Sequence, residues 1–114
     1  MARRDAFILA LLLAGCFAIA ALAWTFGERF YVMGRLGYDG IHPAWVVGVL
    51  SIGTAFLANQ SMWGFHFFSL PALCATVTTL FLCVDGEVSI LNALLALHLV
   101  AAALFVWSLR SHFL

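Results

Sequence analysis

Three long stretches without a charged side chain constrain this sequence more than any other feature. They cover residues 6–27, 40–84 and 88–109 and contain 22, 45 and 22 residues. A helix needs about 20 apolar residues to cross the ~30 Å hydrocarbon core of a bilayer. The two outer stretches therefore predict one membrane span each, and the middle stretch predicts two.

A polar cluster in the middle stretch predicts the turn between its two spans. Asn59, Gln60 and Ser61 are followed by Gly64, and these residue types favour turns over helix continuation. Membrane spans must satisfy their backbone polar groups internally, so each span should be a helix. We expect residues 1–114 to form a single domain. It should be an all-α antiparallel bundle with four transmembrane helices, at about 6–26, 44–60, 65–84 and 88–109.

The composition excludes most functions of soluble proteins. Hydrophobic residues make up 66% of the 114 residues and charged residues only 9%, whereas an ordinary soluble domain is about 25% charged. The five basic and five acidic residues cancel, so no basic surface for nucleic acid is expected. The sequence contains no phosphate-binding glycine loop, nucleophile elbow or metalloprotease helix. We expect a non-enzymatic protein of the lipid bilayer, with no catalytic residues.

The arginines predict the orientation of the bundle. With four spans both termini lie on one side, together with Arg3, Arg4 and Arg110, while Arg29 and Arg35 lie on the other. Cytoplasmic segments carry the excess of positive charge. We therefore expect both termini in the cytoplasm and the protein in a bacterial inner membrane.

Tryptophans mark the predicted ends of the spans. Trp24 and Trp45 fall at the outer ends of the first two spans, and Trp63 and Trp107 at the inner ends of the others. Tryptophan is enriched at both surfaces of a bilayer, so this placement agrees with the predicted boundaries.

The three cysteines predict no chemistry. Residues 13–16, Leu-Ala-Gly-Cys, look like a lipoprotein lipobox, but the apolar run continues past Cys16 to residue 26 and favours an uncleaved span. Cys74 and Cys83 are nine residues apart on one predicted helix, too far for a disulfide. No Cys/His spacing suggests a metal site. We expect all three thiols to be buried and apolar.

His98 is the most informative single residue, because it lies near the middle of the fourth predicted span. Ionisable groups inside a membrane are costly and raise a functional hypothesis. Leu94, Ala101, Ala102 and Phe105 share its helical face, and small alanines favour close packing of that face on another helix. The face that carries Trp107 is then expected to point to lipid.

Two interpretations of His98 remain open. In the structural one, a neutral imidazole bonds a hydroxyl group at similar depth; the candidates are Ser51, Thr54, Thr76 and Thr78. In the functional one, His98 takes part in a proton relay or is a cofactor-binding ligand to a tetrapyrrole, such as haem or a chlorophyll-type pigment. His42 and His66 lie near the membrane surfaces instead, so one chain does not offer two axial histidines at the same height.

Small residues in the first two predicted spans predict helix association. Ala14, Ala18 and Ala21 share a face in the first span, and the second span contains Gly48, Ser51, Gly53 and Ala55. Small faces allow close helix packing, inside the bundle or with another subunit.

Residues 28–43 form a long loop between the first two spans. They predict an interfacial connector whose aromatic rings lie among lipid headgroups, or a docking surface.

The layout of four short spans in about 110 residues resembles small multidrug-resistance-type transporters and their relatives in the drug/metabolite transporter superfamily. Residues 80–110 carry the likeness, with the turn 85–89, Asp-Gly-Glu-Val-Ser, before a leucine- and alanine-rich helix that ends in Leu109-Arg110. Multidrug exchangers need a carboxylate in the first helix, and residues 6–27 have none. The resemblance therefore implies a flippase-like unit more than a proton-coupled exporter.

Three functions follow as hypotheses. The first is a structural or accessory subunit that docks on a larger membrane complex, with other membrane subunits as its partners. The second is a small transporter or flippase-like unit formed by self-association. The third is a pigment- or haem-binding subunit that uses His98.

Overall fold

The structure, a computed structural model, describes residues 3–31, 40–59, 61–84, 86 and 90–110. This part of the chain contains four α-helices and no strand: α1 (Arg3–Thr25), α2 (Pro43–Ala58), α3 (Trp63–Val84) and α4 (Ile90–Ser108). The prediction of an all-helical chain with four helices is confirmed, and the helix ends differ by at most a few residues. α1, α3 and α4 are long and apolar enough to cross a membrane, and α2 is a shorter apolar helix.

Local signals explain where α1 ends and where α2 begins. Gly27, with φ of 70°, follows α1, and the Glu28 amide beyond it donates to the carbonyl of Ala23 over 2.8 Å. A glycine in the left-handed region commonly ends a helix. α2 starts at Pro43, whose fixed φ suits a first turn. His42 caps it, because its Nδ1 accepts the amide hydrogen of Ala44 at 3.1 Å.

The polar turn between α2 and α3 has the predicted place. Asn59 is the C-cap of α2, and the Ser61 hydroxyl accepts from the amide of Trp63 at 3.3 Å; Gln60 lies outside the described residues. Gly64 is not part of the turn, contrary to the prediction. It lies inside α3 and is buried, because its bare Cα makes room for the side chain of Leu57.

The four helices form a ring in which each helix packs against its two neighbours, in the order α1, α2, α3, α4 and back to α1. The centre is apolar; its largest fully buried side chains are Phe68, Leu50, Leu82, Leu99 and Val106. Glycines bring the helices together at two places. On α2, Gly53 faces Phe68 of α3, and on α1, Gly15 faces His98 of α4.

The loop between α1 and α2 is closed at its base. Phe30 and Ile41 form an isolated antiparallel bridge, with N···O distances of 3.0 and 2.6 Å. Phe30 is only 4% exposed and belongs to the core, so the prediction that this ring lies among headgroups is wrong. The bridge turns residue 30 inward. Tyr31 is partly buried. Tyr38 and the rest of residues 32–39 lie outside the described residues, as do Asp85 and residues 87–89 of the α3–α4 turn.

Candidate functional site

His98 fills a notch in α1. A Cβ atom added to Gly15 would lie 2.6 Å from Cδ2 and 2.8 Å from Nε2 of His98, so the ring edge rests directly on the glycine. The neighbouring Ala102 is completely buried, whereas Trp107 is 48% exposed. The prediction that the His98 face packs on another helix is confirmed for His98 and Ala102, whereas Leu94 on the same face is 39% exposed.

The hydrogen-bond partner of His98 is not a hydroxyl group. Nδ1 lies 2.8 Å from the carbonyl oxygen of Leu94, one turn earlier in α4. A carbonyl only accepts, so Nδ1 is the donor of this hydrogen bond. The hydroxyls of Ser51, Thr54 and Thr76 each donate to a carbonyl of their own helix. The predicted hydroxyl partner is therefore wrong, because local carbonyls satisfy both kinds of side chain.

The other two histidines of the described chain lie at helix ends. His42 caps α2 and meets the Trp24 ring edge to face, with centroids 5.2 Å apart. His66 lies in the first turn of α3, where its ring contacts Trp63 and Phe65. Neither is beside His98. Among the described residues no group of three His, Cys, Asp or Glu side chains could hold a metal ion.

The cysteines differ in exposure, contrary to the prediction that all three are buried. Cys16 is fully buried in the middle of α1, Cys74 is partly buried, and Cys83 is exposed on the outer face of α3; all three are free thiols. The helical position of Cys83 explains the difference, because it lies close in angle to other exposed residues of α3.

An apolar cavity lies between α2, α3 and α4, in the half of the bundle next to the Phe30–Ile41 bridge. Its volume is about 300 Å³. Leu50, Leu95 and Leu99 line its inner side and are almost fully buried, and Trp45 and Leu70 lie at its exposed edge. Sequence reasoning did not predict this cavity, since it depends on how far α2 and α3 stand apart.

Asn92 lines this cavity and was also missed by the sequence analysis. It is 2% exposed; its Oδ1 accepts from the amide of Tyr31 at 3.2 Å, and its Nδ2 donates to Thr79 Oγ1 at 3.4 Å. One side chain thus joins α4 to α3 and to the base of the α1–α2 loop. An amide inside an apolar span was the available signal.

The outward faces of the helices differ in kind. On α1 and α2 the exposed positions include a set of small side chains, here called the small-residue surface; its members are Ala10, Ala14, Ala18, Ala21, Ala44, Gly48, Ser51 and Ala55, all exposed. Larger side chains, among them Phe7, Leu11, Trp45 and Ile52, are exposed beside them. On α3 and α4 the outward faces are bulky: Leu70, Leu73, Leu80, Leu97 and Leu104 are each 62–65% exposed. Small exposed side chains are therefore concentrated on α1 and α2.

Gly48 is exceptional among the helical glycines. Gly15, Gly53 and Gly64 each have a side chain of a neighbouring helix within 3 Å of an added Cβ, whereas around Gly48 nothing lies within 4 Å. Glycine inside a helix costs about 1 kcal/mol relative to alanine. Contacts within the described part of the chain explain three of these glycines and leave Gly48 without an internal reason.

Comparison with protein-family models, with curated proteins and with solved structures finds no match to this chain. The arrangement of the residues is therefore the basis for assigning a function.

Proposed function

We propose that this protein is a small non-enzymatic accessory subunit of a bacterial inner-membrane complex, and that it docks on a larger partner through the small-residue surface. In this proposal α2 is a fourth span and both termini lie in the cytoplasm. The observation that carries the proposal is Gly48, an exposed glycine in a helix, for which no contact within the described part of the chain requires a glycine.

Membrane physics supports docking through this side of the bundle. Lipid tails are as apolar as leucine, so helices associate in a bilayer by close van der Waals contact, and small residues permit that contact. Ala14 and Gly48 would let a partner helix approach α1 and α2 closely. The leucines on α3 and α4 suit direct contact with acyl chains instead.

A second copy of the chain would also fit the small-residue surface, as the transporter or flippase-like hypothesis requires. The buried polar side chains of the described residues are Thr78 and Asn92, and Asn92 already bonds Tyr31 and Thr79. This is little polar lining for the path of a hydrophilic substrate, so we place the accessory role first.

Native mass spectrometry of the protein extracted from its own membrane in a mild detergent tests the proposal. An accessory subunit should appear in complexes with different chains, whereas self-association should give multiples of 12.4 kDa. Ala14→Leu and Gly48→Leu should dissociate the complex, since each adds bulk to the docking side.

The control is Cys83→Leu, which adds bulk to the exposed face of α3. It should leave the complex intact, and all three variants should keep the helical content of the bundle, because each changed side chain is exposed. Complexes that persist in both Ala14→Leu and Gly48→Leu, or a protein that is monomeric in its own membrane extract, would contradict the proposal.

A further inference from the structure

We propose that the cavity between α2, α3 and α4 holds one acyl chain of a bilayer phospholipid. The inference rests on the membrane location in the proposed function but not on docking through the small-residue surface, since that surface lies on the outward faces of α1 and α2.

The dimensions of the cavity suit a single chain. It extends along α4 from Asn92 to Leu99, seven positions or about 10 Å at 1.5 Å per residue. Its volume of about 300 Å³ is at the small end of the range for ligand sites, ~300–1,000 Å³. A whole phospholipid does not fit, whereas a segment of one of its tails does.

The lining selects hydrocarbon over water or a polar ligand. Apart from Asn92, every residue around the cavity presents an apolar side chain or ring, and both polar atoms of the Asn92 amide already have partners in Tyr31 and Thr79. Such a lining offers a water molecule too few hydrogen-bond partners to hold it. A polar ligand would lose its bonds to water and gain little in return.

The opening of the cavity faces sideways. Trp45 is 72% and Leu70 63% exposed at the edge formed by α2 and α3, while Phe30, Tyr31 and Ile41 line the end next to the bridge. In a membrane, the molecules next to this lateral opening are phospholipids. Their acyl chains therefore reach the cavity directly from the bilayer.

The packing of α2 on α3 explains why the space exists. At the end near the turn, Gly64 receives Leu57 and Gly53 receives Phe68, so the two helices meet closely. Towards the other end α3 presents Pro71, Cys74 and Ala75, which are too small to fill the gap to α2. An inserted chain would restore the dispersion contacts that the empty wall lacks.

Photocrosslinking in vesicles of phosphatidylcholine tests this proposal. A small fraction of the lipid carries a diazirine on one acyl chain, and the adducts are located by peptide mass spectrometry. Leu95 and Leu99 are 4% and 2% exposed and line the cavity, whereas Leu97 and Leu104 on the same helix are each 65% exposed. Surrounding lipid reaches only the exposed pair, so adducts on Leu95 and Leu99 report a chain inside the cavity.

The variant Ala75→Phe fills the cavity from α3 and should reduce adducts on Leu95 and Leu99, relative to Leu97 and Leu104, about tenfold, equivalent to about 1.4 kcal/mol of binding. Val49→Phe fills it from α2 and provides the same test if the first variant does not fold. Leu73→Phe, on the exposed face of α3, is the matched control. It should leave the ratio of adducts on Leu95 and Leu99 to adducts on Leu97 and Leu104 unchanged.

Two results would overturn the proposal. One is a wild-type protein with adducts on Leu97 and Leu104 but none on Leu95 and Leu99. The other is an unchanged yield of adducts on Leu95 and Leu99 in every cavity-filling variant that folds. Ala14→Leu separates this proposal from the docking proposal, because it should weaken the complex and leave the cavity adducts unchanged.

Discussion

The contact of His98 with Gly15 shows how one residue pair sets the distance between two helices. An imidazole in the middle of an apolar helix needs a hydrogen-bond partner and space. Leu94 supplies the carbonyl from one turn earlier, and Gly15 supplies the space on α1. The pair therefore fixes how closely α1 and α4 approach each other.

Gly15→Ala should destabilise the bundle by about 1–3 kcal/mol, the usual cost of extra volume in a well-packed core. The added methyl group would lie 2.6 Å from Cδ2 of His98. His98→Ala should relieve the clash, so in that background Gly15→Ala should be neutral or stabilising, as alanine is the better helix former. Reversible unfolding of the four proteins in mixed micelles gives the coupling energy. Additive effects would show that the two residues do not compete for space.

His98→Asn should lower the free energy of unfolding by about 1 kcal/mol or less, since hydrogen bonds inside membrane bundles average about 0.6 kcal/mol. The close packing of the His98 ring on Gly15 of α1 leaves little room beside the ring, and this favours the structural interpretation over a tetrapyrrole ligand. An absorption spectrum of the purified protein checks it. A haem or pigment band in the wild-type protein that disappears in the asparagine variant would establish a cofactor role instead.

His42 lets the contribution of a helix cap be measured directly. His42→Ala should destabilise α2 by about 1 kcal/mol, because the amide of Ala44 loses its acceptor. His42→Asn also loses the ring contact with Trp24 but keeps an N-cap acceptor, so it should be the more stable of the two variants. Equal stabilities, measured by thermal unfolding, would show that the cap does not contribute.

At the scale of whole elements, Asn92 should control the base of the α1–α2 loop. Asn92→Leu should destabilise the bundle by about 1–3 kcal/mol, the cost of leaving a buried donor unsatisfied, and should speed hydrogen exchange at the Tyr31 amide. Thr79→Val removes the bond from Asn92 on the α3 side, together with the bond from the Thr79 hydroxyl to Ala75 within α3, and should leave that exchange rate unchanged. Unchanged exchange in Asn92→Leu would show that other contacts hold Tyr31 in place.

The helices could be predicted from the sequence because the absence of charge and the polar turn at Asn59 are local signals. Positions that depend on distance between helices could not. Gly64 was predicted in the turn, but it packs against Leu57 inside α3. Phe30 was predicted at the membrane surface, but its bridge with Ile41 directs it into the core. The cavity is the extreme case, since it arises from spacing and no single residue encodes it.

For the whole molecule, the contrast between small and bulky outward faces was only half visible in the sequence. The stripe of Ala14, Ala18 and Ala21 was predictable from helical periodicity, but whether it packs inside the bundle was not. The structure shows that the inner side of α1 uses Leu9, Cys16 and Ile19 instead. Ala14, Ala18 and Ala21 therefore lie on the outer surface, where they are available for contact with another chain.

The length of α2 makes its crossing of the membrane the decisive question of topology. Its 16 residues give about 24 Å at 1.5 Å per residue, less than the ~30 Å hydrocarbon core. Such a mismatch costs only fractions of a kcal/mol per Å, through local thinning of the bilayer. α2 also packs along both α1 and α3, two helices long enough to cross, so we predict that it crosses with them.

Single cysteines at three exposed positions, with the native cysteines changed to alanine, test in cells whether α2 crosses the membrane. If α2 crosses and both termini are cytoplasmic, Glu28→Cys reacts with a membrane-impermeant maleimide in intact cells, whereas Asn59→Cys and Ser108→Cys react only after permeabilisation. None of these changes removes an arginine, so the charges that set orientation stay in place. If α2 stays on the outer side, only two crossings separate residue 28 from residue 108, through α3 and α4. All three cysteines would then react in intact cells. Whichever way the bundle is inserted, Asn59→Cys and Ser108→Cys each share a side with Glu28→Cys only when α2 does not cross.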